Sequence, residues 1–586
     1  MEFNYTDERN AQIVISLLKA HNISKVIASP GGTNICLVAS LQQDPFFEIY
    51  SAVDERSAAY MACGMAAELK GEEAVVLSCT GATASRNYMP GLTEAYYRKL
   101  PILVITSSKR NYEIGHNVDQ VTDRTLLPRD VAKLSVQMPI VYDKESEWAC
   151  NIAANKAMLE LFRKNPGPVH INLETRYSRN YTVKTLPETK VIRRYFYDDV
   201  FPELNVKTVA ILVGSHLPWD ERLTDAVDRF CEINNAIVLC DHTSNYEGKY
   251  KIMGYLASLQ KNYISLIKKA DLVIHIGDIT ASEFGIVSDR LWRVNPDGEL
   301  RDTYKKLENV FEMSELEFFT HYGIGDKKET TYYDECCKEN SKIRESISEL
   351  PFSNAWIASK TINSLPRNAV LHLGIRNSAR FWNCFETDDY TPGFSNTGGF
   401  GIDGCLSSTI GASLLDNSRL YYCVLGDLAF FYDMNSLGNR HVGKNIRILL
   451  INNGCGAEFW LSHSAAPMFG EETNRYIAAG GHYGHQSREL VKHYAEDLGF
   501  TYLSACSKEE YEKILDIIVD PVISEKPLLV EIFTTNTDED QALQILSLLE
   551  KDDVKAMKNS VMNLARSVIG ESNVSTIKKM INRRKG

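Results

Sequence analysis

Short apolar runs rich in β-branched residues alternate with stretches of helical length along most of this chain, in three successive series. In the first series, up to about Thr182, "KVIASPGG", "AVVLSCTGATAS", "LPILVITSS" and "GPVHINLE" read as buried strands leading into Gly- or small-residue turns. The second series comprises "TVAILVGS", "AIVLCD", "ADLVIHIGD" and "RLWRVNPDG"; the third, "NAVLHLGIRNS", "RLYYCVLGDLAF", "IRILLINN" and "PLLVEIFT". Strands that alternate with helix-length intervals predict α/β architecture, here three consecutive doubly wound parallel-sheet domains. The segment from Thr182 to about Asn205, rich in charged and aromatic residues, reads as a linker, and Asp326 to Ser346 as a linker plus an exposed helix. The expected boundaries are 1–182, 200–330, 350–550 and a C-terminal extension at 551–586.

Composition removes several function classes. The 586 residues are 44% hydrophobic and 24% charged, which suits a globular protein with ample core. A net charge of −12 argues against a general nucleic-acid binder. The 13 cysteines show no CxxC pair, a usage expected of a reduced compartment rather than of a disulfide framework or zinc site. No apolar run is long enough to span a bilayer, and "MEFNYTDERN" is too polar for a signal peptide, so a cytoplasmic location is expected. The extension inverts the overall charge, with nine Lys/Arg against three Asp/Glu, and Val561, Leu564, Val568 and Ile569 suggest an amphipathic helix.

The third series carries the chemistry. Gly426 and Asp427 directly follow the strand "YYCVL", and Asn452, Asn453 and Gly454 end the strand "IRILLINN". An acid and an amide at two strand ends, both beside Gly-containing turns, suit a hard cation such as Mg²⁺, which takes few protein oxygens and shares the rest with phosphate and water. The carboxyl ends of the strands are also where an open parallel sheet binds its ligands.

G-D followed by N-N at this spacing resembles the cofactor motif of thiamine-diphosphate enzymes, whose pyrimidine-binding, central and diphosphate-binding domains match the three series in order. Within that superfamily, "ASPGG", "DERSAA", "SNTGGFGIDG" and "GDLAFFYDMNSL" are most similar to the 2-succinyl-5-enolpyruvyl-6-hydroxy-3-cyclohexene-1-carboxylate synthase family of menaquinone biosynthesis. The resemblance implies thiamine diphosphate and Mg²⁺ as cofactors. It makes Asp427, Asn453 and the Cys455 carbonyl the metal ligands, Asn452 being the adjacent alternative. Ile402 becomes the apolar wedge beneath the cofactor, with Asn377, Ser378, Gly426 and Leu428 around it. Glu55, at the head of "VDERSAAYMACGMA", becomes the catalytic carboxyl on the pyrimidine N1′, and the small residues behind it suggest a dry setting that would favour its protonated form. The family also implies a homodimer or homotetramer with the cofactor between subunits.

The family's two substrates, 2-oxoglutarate and isochorismate, are acidic and are held by arginines, and here the pattern departs. Gly32 and Thr33 stand where the family has Ser and Arg, Thr397 replaces a second arginine, and Trp382 occupies the place of a third, with Arg376 and Arg380 nearby. Each lost charge-assisted contact costs about 1.5–3 kcal/mol. Gln120 matches a family glutamine near the reacting carbon, His116 is placed to donate a proton, and Lys109 and Arg110 follow a strand end. The expectation is therefore decarboxylation of a 2-oxo acid and transfer of its acyl unit to an acceptor, with substrates other than the family's, such as pyruvate and a keto-sugar. The alternatives are the family's own synthase reaction and a non-catalytic thiamine-diphosphate-binding paralogue.

Overall fold

A computed structural model describes residues 4–387, 390–482 and 487–550. The proposed basic extension at 551–586 lies outside the described residues. The chain divides into two compact units, one formed by residues up to Phe196 with Gly298–Val310, the other by Tyr197–Asp297 and the chain from Phe311 on.

The first unit is built on a six-stranded sheet, in the order Glu48–Ser51, Lys25–Ala28, Val75–Thr80, Ile102–Ser108, Val169–Glu174, Leu134–Met138. Every pairing is parallel. Its inner strands are buried along almost their whole length, as continuous apolar runs require. The helix Glu55–Glu68 starts at Asp54, whose side chain accepts from the Arg56 and Ser57 amides at 2.8 and 3.4 Å. Its small residues, Ala58, Ala59, Ala62, Cys63 and Ala66, are buried and pack against the helix Met89–Arg98. The two backbones come so close that a Cβ at Gly91 would lie 2.5 Å from the Ala59 Cβ.

The second unit holds strands of the other two sheets. Five parallel strands of one run in the order Lys251–Met253, Ala236–Cys240, Val209–Val213, Leu272–Ile276, Leu291–Val294. The other has six, all parallel: Gly393–Phe394, Val370–Leu373, Tyr421–Gly426, Ile446–Asn452, Leu528–Phe533, Thr501–Ala505. Taken in chain order this is 2-1-3-4-6-5, the same order as the first unit's sheet. The two sheets of this unit are fastened by reciprocal hydrogen bonds between the Asn245 amide and the Gly393 backbone, each 2.9 Å. Only glycine fits at 393, because a Cβ would stand 2.1 Å from the His242 carbonyl oxygen. The three-domain parallel α/β class read from the sequence is thus the observed one. One local expectation changes: the helix Thr331–Glu345 is not exposed all round, since Tyr332, Cys336, Asn340 and Ile343 form a buried face at helical spacing.

Candidate active site

In the third sheet the strand order reverses between Val370–Leu373 and Tyr421–Gly426, and a crevice opens beyond the carboxyl ends of such a pair. A cavity of about 530 Å³ lies there, lined by residues after both strands and after Ile446–Asn452. Asp427, buried at the start of the helix Asp427–Asp433, lines it; its Oδ2 accepts from the Gly454 amide at 2.8 Å. Gly454 has a φ of 92°, a left-handed turn that glycine adopts without strain and that brings its amide toward Asp427.

The two asparagines part where the strand ends, Asn452 being its last residue and Asn453 the first beyond it. Asn452 turns into the protein and donates to Glu531 Oε1 at 2.7 Å, while Glu531 Oε2 accepts from the Tyr502 hydroxyl at 2.8 Å. Asn453 lines the cavity, and its Oδ1 is buried with no hydrogen-bond partner. A buried acceptor without a donor is costly unless something outside the protein satisfies it. Cys455 also lines the cavity, its thiol pushed up to about 11 by burial, so near neutral pH it is no thiolate ligand. Among the described residues no group of three His, Cys, Asp or Glu side chains is placed to hold a metal. A cation here would rest on the Asp427 carboxylate and on amide and carbonyl oxygens, the donor set of a hard ion.

Asn377, Ser378, Gly426, Leu428 and Ile402 all line the same cavity. Arg380 is half-buried behind Asn377 and is paired through both terminal nitrogens with Glu458, the longer contact being 3.0 Å. Against the upward push of burial, Arg380 holds the Glu458 carboxyl below the usual carboxylate range. Arg376 lines the cavity with its guanidinium 5.2 Å from the centroid of the Phe400 ring. Its φ of 65° and ψ of −117° fall in a region that side-chain-bearing residues avoid, at a cost of about 1–3 kcal/mol. Thr397 is buried and does not line this cavity.

The remaining expected residues stand in the first unit. Glu55 is half-buried, with its Oε2 accepting from the Asn87 amide group at 3.1 Å. The small residues of its helix do not enclose it; they form the face turned to the helix Met89–Arg98. Thr33 is buried, its hydroxyl spent on the Ser107 carbonyl at 2.5 Å and on Thr80, and Gly32 is exposed. His116 and Gln120 sit on an exposed loop, Gln120 with a φ of 58°. Lys109 pairs with Asp119 at 2.6 Å and Arg110 with Glu113 at 3.1 Å, so both charges are already answered.

Sequence reasoning missed Glu458, Phe400 and Glu539. Glu539 lies in the first turn of the helix Asn536–Ser547, lines the cavity and is fully buried. Its Oε1 accepts from the Asn354 amide at 3.0 Å and from Thr534 Oγ1 at 2.8 Å, and its Oε2 has no partner. Burial pushes its carboxyl up to about 7. In the sequence it is one of three acids in "TNTDED", with nothing to mark it as buried.

Comparison with known proteins bears on both units. The family model for the thiamine pyrophosphate enzyme N-terminal TPP-binding domain matches residues 9–127. The 2-succinyl-5-enolpyruvyl-6-hydroxy-3-cyclohexene-1-carboxylate synthase of Bacteroides fragilis is 30% identical over 575 residues, covering 92% of this chain and 98% of that protein. The chain belongs to this synthase family of thiamine-diphosphate enzymes. The synthase of Phocaeicola vulgatus is 31% identical over 568 residues, covering 90% of this chain and 96% of its own, and that of Flavobacterium johnsoniae 27% over 571 residues, covering 91% and 97%. Near-full-length likeness to synthases carrying one name overturns the expectation of other substrates such as pyruvate and a keto-sugar. The physical reason lies in the positions used for that expectation. Thr33 and Thr397 are buried in this synthase-family chain, so the arginines missing there say little about the charge of the cavity, where Arg376 stands. Among the described residues of this family member, no helix is long and apolar enough to cross a membrane.

Proposed function

We propose that the chain is a 2-succinyl-5-enolpyruvyl-6-hydroxy-3-cyclohexene-1-carboxylate synthase, decarboxylating 2-oxoglutarate and transferring the succinyl unit to isochorismate with thiamine diphosphate and Mg²⁺. The likeness to synthases over nearly the whole chain carries this reading. The partnerless Asn453 Oδ1 beside buried Asp427 supports the metal assignment. Thiamine diphosphate, when bound, supplies the electron sink for loss of CO₂ from a 2-oxo acid. Asp427 and Asn453 would hold Mg²⁺ through their side chains, with the Cys455 carbonyl as a third protein ligand. Asn377, Ser378, Gly426 and Leu428 would border the cofactor, and Ile402, packed on the core of this domain, would prop it from below. Glu55 would hold a proton at the pyrimidine N1′. In a homodimer of the family's kind, Glu55 of one subunit would serve the cofactor of the other; the exposed Val53, Tyr60 and Met61 around Glu55 suit such an interface.

The test is direct. Purified protein with both cofactors, 2-oxoglutarate and isochorismate should release CO₂ and consume isochorismate in equal amounts. Absence of CO₂ release from 2-oxoglutarate would sink the proposal.

A further inference from the structure

Arg376 lines the cavity and Arg380 stands behind Asn377, and they differ in whether their hydrogen-bond donors are committed. Arg380 spends both terminal nitrogens on Glu458 and a further contact on Asn377. The Glu458 carboxylate is answered first by Arg380, then by His463, and last by Arg376. The guanidinium of Arg376 makes no hydrogen bond or ion pair among the described residues. Its guanidinium carbon lies 5.2 Å from the centroid of the Phe400 ring, a cation–π contact that spends none of its N–H donors on an acceptor. The backbone beneath it is held in a strained conformation at the head of the helix Asn377–Trp382, and both Arg376 and Phe400 line the cavity.

We infer that Arg376 is the specificity-determining cation of this cavity and takes the distal carboxylate of a 2-oxo dicarboxylic acid, the one that stays in the product. This deepens, and rests on, the function proposed above. The geometry of the ligand follows from the chemistry of the fork: a planar guanidinium offers two parallel N–H donors that match a carboxylate. The carboxylate that leaves as CO₂ is a poor occupant, because a bidentate cation would stabilise it most before its charge is dispersed, which raises the barrier. An edge set against Phe400, with no carboxylate hydrogen-bonded to it, also enters the complex with its donors unspent.

The test uses the full chain with thiamine diphosphate and Mg²⁺, and titrates glutarate, an inert dicarboxylate, and butanoate, its single-carboxylate counterpart, by calorimetry. Loss of a charge-assisted pair should weaken glutarate binding roughly 10- to 100-fold in Arg376→Gln, with butanoate and thiamine diphosphate affinities changed less than about three-fold. Arg376→Gly relieves the backbone at φ 65° and should melt no lower than wild type, yet lose glutarate to the same extent, which separates binding from folding. Glutarate affinity within about two-fold of wild type in both variants would overturn the assignment, as would a wild-type protein that does not bind glutarate. A parallel loss of thiamine diphosphate would assign Arg376 to the cofactor's anion instead. Arg376-dependent glutarate binding without CO₂ release from 2-oxoglutarate would defeat the proposed function while leaving this inference standing; turnover with glutarate binding insensitive to Arg376 would do the reverse.

Discussion

Glu539→Gln should make this protein more stable at alkaline pH and leave it little changed at acidic pH. Glu539 is 1% exposed, and burial raises its carboxyl from an ordinary 4.5 to about 7 despite the donors from Asn354 and Thr534. Between those two values the unfolded chain has released the proton and the folded chain still holds it, so the unfolding free energy falls as pH rises through the window. A shift from 4.5 to about 7, at about 1.36 kcal/mol per unit, amounts to roughly 3 kcal/mol lost above pH 7. Glutamine keeps an oxygen for the Asn354 amide and cannot ionise. Its amide nitrogen replaces the partnerless Oε2, much as the protonated acid places a hydroxyl there, so the two proteins should be of similar stability near pH 4.5. Urea unfolding of both, from pH 4.5 to 8.5 and without cofactor or metal so that ligand binding adds nothing, reads the difference. Other buried groups titrate too, such as His242, lowered to about 4 by burial, but they are common to both proteins and cancel in the difference. Stability curves that run parallel across this range would refute the reasoning and show that Glu539 is ionised in the folded protein at neutral pH.

Further expectations concern the proposed cofactor residues and the first unit. Glu55→Gln should bind thiamine diphosphate with unchanged affinity by calorimetry and show no turnover; unaltered CO₂ release would remove its proposed role. Asn453→Ala should raise the Mg²⁺ concentration needed for half-maximal thiamine diphosphate binding about ten-fold or more, as expected for loss of a charge-assisted contact. Asn452→Ala should leave that Mg²⁺ dependence alone but cost about 1–3 kcal/mol in urea unfolding, because Glu531 Oε1 loses its buried donor. Gly91→Val should lower stability by about 1–3 kcal/mol, since a side chain there must push back the backbone of Ala59, whose carbonyl carbon would lie 2.9 Å from the new Cβ.

The three sheets were legible because their inner strands are continuous apolar runs, such as "IRILLIN", separated by helix-length intervals. The shared strand order of the first and third sheets was not, because order depends on contacts between residues far apart in the chain. The pair at 452 and 453 shows the limit exactly at one residue. Alternation along a strand sets neighbouring side chains on opposite sides without saying which faces in, and here the strand ends at Asn452, one residue before Asn453. The same holds for charge. "TNTDED" and "GCGAE" carry acids that look solvated, and Glu539 and Glu458 are buried or half-buried only because Asn354 and Arg380, 185 and 78 residues away, meet them. Thr33 and Thr397 misled for a related reason: the sequence names the side chain at a position but not whether it points at the cavity or into the protein.

The pairing of Arg380 with Glu458 also constrains how this chain can change over generations. Removing either partner strips the other of its paired hydrogen bonds in a half-buried setting, at a cost of about 1.5–3 kcal/mol, whereas replacing both together need cost little. The two positions therefore form one heritable unit, and descendants of this chain should retain both or lose both. A lineage passing through a single loss would need a stabilising change elsewhere first, so the order of substitutions at this cavity is itself restricted.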